Sequence, residues 1–148
     1  MWATTDQLVT MAAGAGSNIN LLAPFEVAGA STLGMTIMRT HCTLSLATAV
    51  VLADRLRVGF VIDRVAAVGA GPPAGAITAA DPEADWMLWR HEQASPTFSP
   101  GGANILEYDL RSKRKVQEMS QTMLLCLFNS NGGSKTVNVA VRTLCALP

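Results

Sequence analysis

Met35-Thr36-Ile37-Met38-Arg39-Thr40-His41-Cys42-Thr43-Leu44-Ser45-Leu46 alternates with a period of two. Thr36, Met38, Thr40, Cys42, Leu44 and Leu46 share one parity, while Arg39, His41, Thr43 and Ser45 share the other. Successive side chains of an extended chain point to opposite faces, so this stretch predicts one long strand with an apolar and a polar side. The same signal recurs outward from it. Residues 57–64 place Val58, Phe60 and Ile62 together, and the C-terminal stretch groups Val137, Val139, Val141, Thr143, Cys145 and Leu147 against Asn138, Ala140 and Arg142. Residues 121–128 are apolar at both parities, which predicts a central strand or one covered on its second face. Shorter strands are expected at 7–11, 18–22, 85–91 and 105–110.

About eight strands separated by Gly, Pro and Asn clusters argue for an all-β, antiparallel sandwich or barrel in one domain, 1–148. Asn129-Ser130-Asn131-Gly132-Gly133-Ser134 is rich in residues that accept positive φ, and predicts a hairpin between the last two strands. Short helical turns are expected at 24–30 and, where β-branched residues are scarce, at 111–119. Two nearly uncharged segments, 66–80 and 93–103, are rich in Gly, Pro, Ala and Ser and predict long loops of the kind that often carry function.

Composition narrows the function. The 148 residues carry 11 basic and 11 acidic side chains, and charged residues make up 15% of the chain against roughly 25% in ordinary soluble domains. A small domain that short of charge is expected to cover part of its surface with other protein. Zero net charge supplies no global field towards nucleic acid or acidic lipid and favours self-association. There is no basic region preceding an apolar core that would make a signal peptide, and the longest apolar run, 42–53, is too short for a bilayer span of about 20 residues. A soluble, intracellularly made protein without membrane contact is expected. Cys42, Cys126 and Cys145 lie in apolar stretches without CxxC spacing, as expected of small buried hydrophobes.

Enzyme-like strings fail on chemistry. Gly69-Ala70-Gly71-Pro72-Pro73-Ala74 matches a dinucleotide fingerprint, but that turn must open a helix whose free N–H groups meet pyrophosphate. Pro72 and Pro73 have no N–H to offer. His41 and His91 stand fifty residues apart, and His41 and Cys42 alternate in a strand, so no metal cluster is expected. Asp81, Glu83, Asp85 and Glu92 show nothing that would aim two carboxylates at one cleft. The sequence therefore predicts no enzyme, no cofactor and no metal.

The residues that remain suit an interface. Arg111, Lys113, Arg114 and Lys115 form the one dense basic cluster, which can be a solvated run or can dock on an acidic partner surface such as Asp81, Glu83 and Asp85 of another copy. Nucleic acid is disfavoured, because Tyr108 is the only aromatic close in sequence. Trp86 and Trp89 lie with Arg90 in a short strand, and Trp and Arg are the residues most enriched at interface centres.

The order of several short motifs resembles a family. These are Asn20-Leu21-Leu22-Ala23, Gly34-Met35-Thr36-Ile37-Met38-Arg39, Gly59-Phe60, Asp85-Trp86-Met87-Leu88-Trp89-Arg90, Asp109-Leu110-Arg111 with Arg114-Lys115, and Val141-Arg142-Thr143-Leu144. Together they resemble small virion proteins of tailed phages, many of them jelly-roll capsid or capsid-decoration subunits. The resemblance implies a jelly-roll-like sandwich and a capsid decoration or cement protein located in the virion and made in the host cytoplasm. It implies binding to the outer shell as a homo-oligomer, a trimer by match to local threefold sites, with the major capsid protein as partner. Such proteins often begin with a basic arm. This chain begins Met1-Trp2-Ala3-Thr4-Thr5-Asp6, which favours an outer position. The alternatives are a main or minor capsid, tail or head-fibre subunit, and a soluble ligand-binding β-barrel with Trp86 or Trp89 in its pocket.

Overall fold

The computed structural model describes residues 1–27, 31–47, 55–64, 86–93, 105–117, 121–129 and 132–148. The strands are β1 (Trp2–Met11), β2 (Gly16–Asn20), β3 (Thr36–Leu46), β4 (Arg55–Arg64), β5 (Trp86–Gln93), β6 (Ile105–Lys115), β7 (Gln121–Asn129) and β8 (Lys135–Ala146), with one short helix, α1 (Ala23–Val27). They form two four-stranded antiparallel sheets, ordered β1-β8-β3-β6 and β2-β7-β4-β5. The pairing is nested: β4 with β5, β3 with β6, β2 with β7 and β1 with β8. A long hairpin wound into two layers has this nesting, and the fold is a jelly-roll β-sandwich. The loops expected at 66–80 and 93–103 lie outside the described residues, apart from Gln93 at the end of β5.

Period-two burial builds the core. Val137, Val139, Val141, Thr143 and Cys145 of β8 are buried, and Asn138, Ala140 and Arg142 are exposed. The predicted face therefore holds as far as Cys145, while Leu147 lies beyond the strand and is exposed. Met123, Leu125 and Leu127 enter the core from β7 of the opposite sheet, beside Val58 and Phe60 of β4. Thr122, Leu124 and Cys126, on the other face of β7, are buried too, as the doubly apolar pattern implied. Between the layers, the Phe60 and Tyr108 rings meet edge to face with centroids 5.6 Å apart.

Three expectations need correction. The first is the facing of β3. Thr40, Cys42 and Leu44 point inward as predicted, but before them the buried residues are Met35 and Ile37, of the opposite parity. Register slips between Ile37 and Arg39 against both neighbours, so Met38 is a bulge residue and Thr36 lies on the outer face. The bulge is matched on β6, where Ile37 pairs with Arg114 but Arg39 pairs with Arg111. Lys113 there adopts φ 48, and the Ser112 hydroxyl donates to the Ile37 carbonyl at 3.0 Å.

The second correction concerns 111–119, expected to be helical. It is strand as far as Lys115, because β6 is a sheet edge where solvated charged side chains and a bulge are well tolerated. A left-handed lysine in a strand invites a test. Lys113→Val should lower stability by about 1–2 kcal/mol, since a β-branched residue resists positive φ, whereas Lys113→Gly should be neutral or slightly stabilising. Urea unfolding followed by circular dichroism checks both.

The third is the turn at 129–134. β7 and β8 lie in different sheets, so they are not the two arms of a hairpin. Asn129 ends β7. This residue is fully buried, and its side-chain nitrogen donates to the carbonyls of Met11 (3.1 Å), Ala12 (3.1 Å) and Gly133 (2.8 Å). Its backbone N–H donates to Ala15 O, and its carbonyl accepts from Gly14 N–H. Gly14, with φ 67, makes the β1–β2 turn that this arrangement grips.

A candidate interaction surface

The outer face of the β1-β8-β3-β6 sheet is a lattice fixed by register. Across the four strands in sheet order, one row is Trp2, Leu144, Arg39, Arg111 and the next is Thr4, Arg142, His41, Asp109. The following rows are Asp6, Ala140, Thr43, Glu107 and then Leu8, Asn138, Ser45, Ile105. Beyond the bulge, Ala146, Thr36 and Lys115 continue it. Large apolar side chains stand open on this face: Trp2 is 51% exposed, Leu8 62% and Ile105 48%.

Charge is unevenly spread. Arg111, Lys113, Arg114 and Lys115 are all exposed on β6, cross-strand register sets Arg39 beside Arg111, and Arg142 stands one strand beyond, level with His41. The carboxylate at that end is Asp109, which accepts from Arg39 Nε at 2.7 Å and from its terminal guanidinium nitrogen at 2.8 Å. This hydrogen-bonded pair holds the Asp109 carboxyl below its ordinary range, with Arg111 and His41 adding weaker charge effects. The same bonds raise the Arg39 guanidinium. Whatever stability the pair contributes is present above the ordinary aspartate pKa and is lost as acid protonates Asp109. Both groups are well solvated, so the pair serves mainly to orient Arg39. Among the described residues, Arg111, Lys113, Arg114, Lys115 and Arg142 form no ion pair.

The other predicted interface residues are placed differently. Trp86, Trp89 and Arg90 fall in β5, an edge strand of the second sheet, level with Ile62, Gly59 and Val58. They are not on the basic face. Asp81, Glu83 and Asp85 lie outside the described residues. Trp2, Arg39 and Arg142 belong to the face but were not singled out from the sequence. Their outward parity in strands is the signal that marks them.

Neither metal nor nucleophile chemistry is assembled among the described residues. No group of three His, Cys, Asp or Glu side chains converges there. All three cysteines are buried, and burial pushes Cys42 up to about 12 and Cys145 up to about 11. Native protein at pH 8 should leave Cys42, Cys126 and Cys145 unreacted with an aromatic disulfide reagent over minutes, and denaturant should release three equivalents. Because folding keeps Cys42 and Cys145 neutral, their contribution to stability should fall as pH rises past the unfolded thiol value of about 8.5. An open groove between β1 and β2 is lined by Thr4, Thr5, Asp6, Gln7, Asn18, Ile19, Asn20, Ala23 and Pro24. Among the described residues, no helix is long and apolar enough to cross a membrane.

The fold and this face define a jelly roll with an exposed, strand-built candidate surface. No family model and no curated protein matches the chain by sequence. Solved structures do resemble it. A chain of broad bean stain virus is 13% identical with a TM-score of 0.44, covering 98% of this chain and 92% of that one. A chain of desmodium yellow mottle tymovirus is 8% identical with a TM-score of 0.38, covering 100% and 91%. A chain of the nora virus structure is 8% identical with a TM-score of 0.38, covering 94% and 56%. The jelly-roll assignment itself rests on the nested strand pairing.

Proposed function

We propose that this chain is a virion structural protein and, more narrowly, a phage capsid decoration or cement subunit that seats on a shell as a homo-oligomer, a trimer, with the major capsid protein as its partner. One observation carries the reading: a jelly roll whose strand-fixed outer face leaves Trp2, Leu8 and Ile105 open to solvent, in a chain of zero net charge. Jelly rolls recur in viral capsids, and a rigid face with exposed aromatic and aliphatic side chains gains by being covered. A subunit that binds the assembled shell but not its separated parts stabilises the shell by mass action. Native mass spectrometry should find an oligomer, and the protein should co-sediment with intact particles. A strict monomer that stays in the supernatant would sink the proposal.

A second reading, a subunit of the shell wall itself, is favoured by the concentration of cations at one end of that face. Copy number per particle separates the two, since a wall subunit must be present in shell stoichiometry.

A further inference from the structure

We infer that the basic end of the β1-β8-β3-β6 sheet is a binding surface for single-stranded nucleic acid. The inference goes beyond a structural role and does not depend on where in a particle the chain sits. Of the 11 Lys and Arg residues in the chain, five have outward parity here: Arg39, Arg111, Lys113, Lys115 and Arg142, while Arg114 is level with the core-facing Ile37. Asp109 is the one carboxylate among them, and it is engaged by Arg39. Five cations against one carboxylate leave an excess of four charges at one end of a sheet in a chain whose formal net charge is zero.

The sequence disfavoured nucleic acid because Tyr108 is the only aromatic close to the basic run, and the structure alters that picture. Register sets Arg39 beside Arg111, with Arg142 on the strand beyond, and widens the run. Tyr108 itself is buried in the core. The aromatic actually presented is Trp2, half-exposed in the same row as Arg39 and Arg111. Neighbouring strands run about 4.8 Å apart and successive outward rows about 6.8 Å apart; Arg39 and Arg111 face each other across one such gap, and Arg142 lies one strand and one row from Arg39. That lattice suits the successive phosphates of an extended strand, with an indole available for base stacking. Rigid strands hold the lattice, so little ordering entropy opposes binding.

Fluorescence anisotropy with labelled 20-nucleotide dT and rU oligomers tests the idea on the full chain. Binding is expected at low salt, with log K falling against log salt at a slope of about −3 to −4 for roughly five phosphate contacts. The triple variant Arg111→Gln/Arg142→Gln/Lys115→Gln should weaken binding at least roughly tenfold and flatten the slope by about 2. All three side chains are exposed, and an unchanged circular dichroism melt confirms that the variant folds. Trp2→Ala should weaken binding with no change in slope, because stacking releases no counterions. Glu107→Gln, one row away, should not weaken it. No anisotropy change at 50 mM salt would overturn the inference, as would a triple variant that binds like the parent. Equal binding of a 20-residue poly-glutamate would also overturn it, and would assign the face to an acidic protein surface.

Discussion

Asn129→Asp should destabilise the fold by about 4 kcal/mol at neutral pH and recover much of that loss in acid. The buried side-chain nitrogen of Asn129 donates to three carbonyls, those of Met11, Ala12 and Gly133. An aspartate there would set a carboxylate against three acceptors with no water to solvate it. Burial against three carbonyl oxygens raises the folded-state pKa of such a group above its unfolded value of about 3.9. The sign follows: stability is greatest below the unfolded value and is lost as pH rises through the raised folded value. Asn129→Ala removes the donors without adding charge. It leaves carbonyls unsatisfied and a small void, so a pH-independent loss of about 3 kcal/mol is expected. Urea midpoints measured between pH 3 and pH 8 separate the two variants. A pH-flat Asn129→Asp profile would mean that water reaches the side chain.

The second large effect lies at the centre of the sandwich. Phe60→Ala should cost about 4 kcal/mol, and Phe60→Leu about 1–2 kcal/mol. Phe60 of β4 is 1% exposed and packs edge to face on Tyr108 of β6, so it joins two strands belonging to different sheets. Truncation opens a void that rigid strands on both sides cannot close. Combining Phe60→Leu with Tyr108→Leu in a double-mutant cycle should show a coupling of about 1 kcal/mol, the contribution of the ring geometry beyond buried area. Zero coupling would reduce the contact to ordinary apolar burial.

Much of this architecture was legible in the residues. The valine ladder of β8 and the doubly apolar β7 announced themselves by period and by burial need. What stayed hidden was relational. Asn and Gly at 129–134 say that the chain turns, but not whether it returns to the same sheet or crosses to the facing one. The bulge at Met38 left no mark, because threonine occurs at both parities of β3 and suits either face. The charges of β6 looked helical, since only the free edge of a sheet explains charged residues so closely spaced in a strand. For the same reason the candidate surface was half visible. Four cations could be read in line, whereas Arg39 becomes the neighbour of Arg111, and Arg142 joins the same face, only through hydrogen-bond register. Trp86, Trp89 and Arg90 drew attention by residue type, yet they belong to the other sheet.

The pairing of β1 with β8 also sets a schedule. Trp2 faces Leu144 and Met11 faces Lys135, so the closest partners in that ladder are 124 positions apart. Ribosomes deliver about 5–20 residues per second, so β1 waits roughly 6–25 s for its partner to be made. The grip of Asn129 on the Met11 and Ala12 carbonyls is delayed almost as long. Nested pairing allows β4 and β5 to meet early, with β3–β6 and β2–β7 closing around them in turn. The sheet that carries the basic face is therefore the later of the two to be completed, and its four strands come together only once β8 has been made.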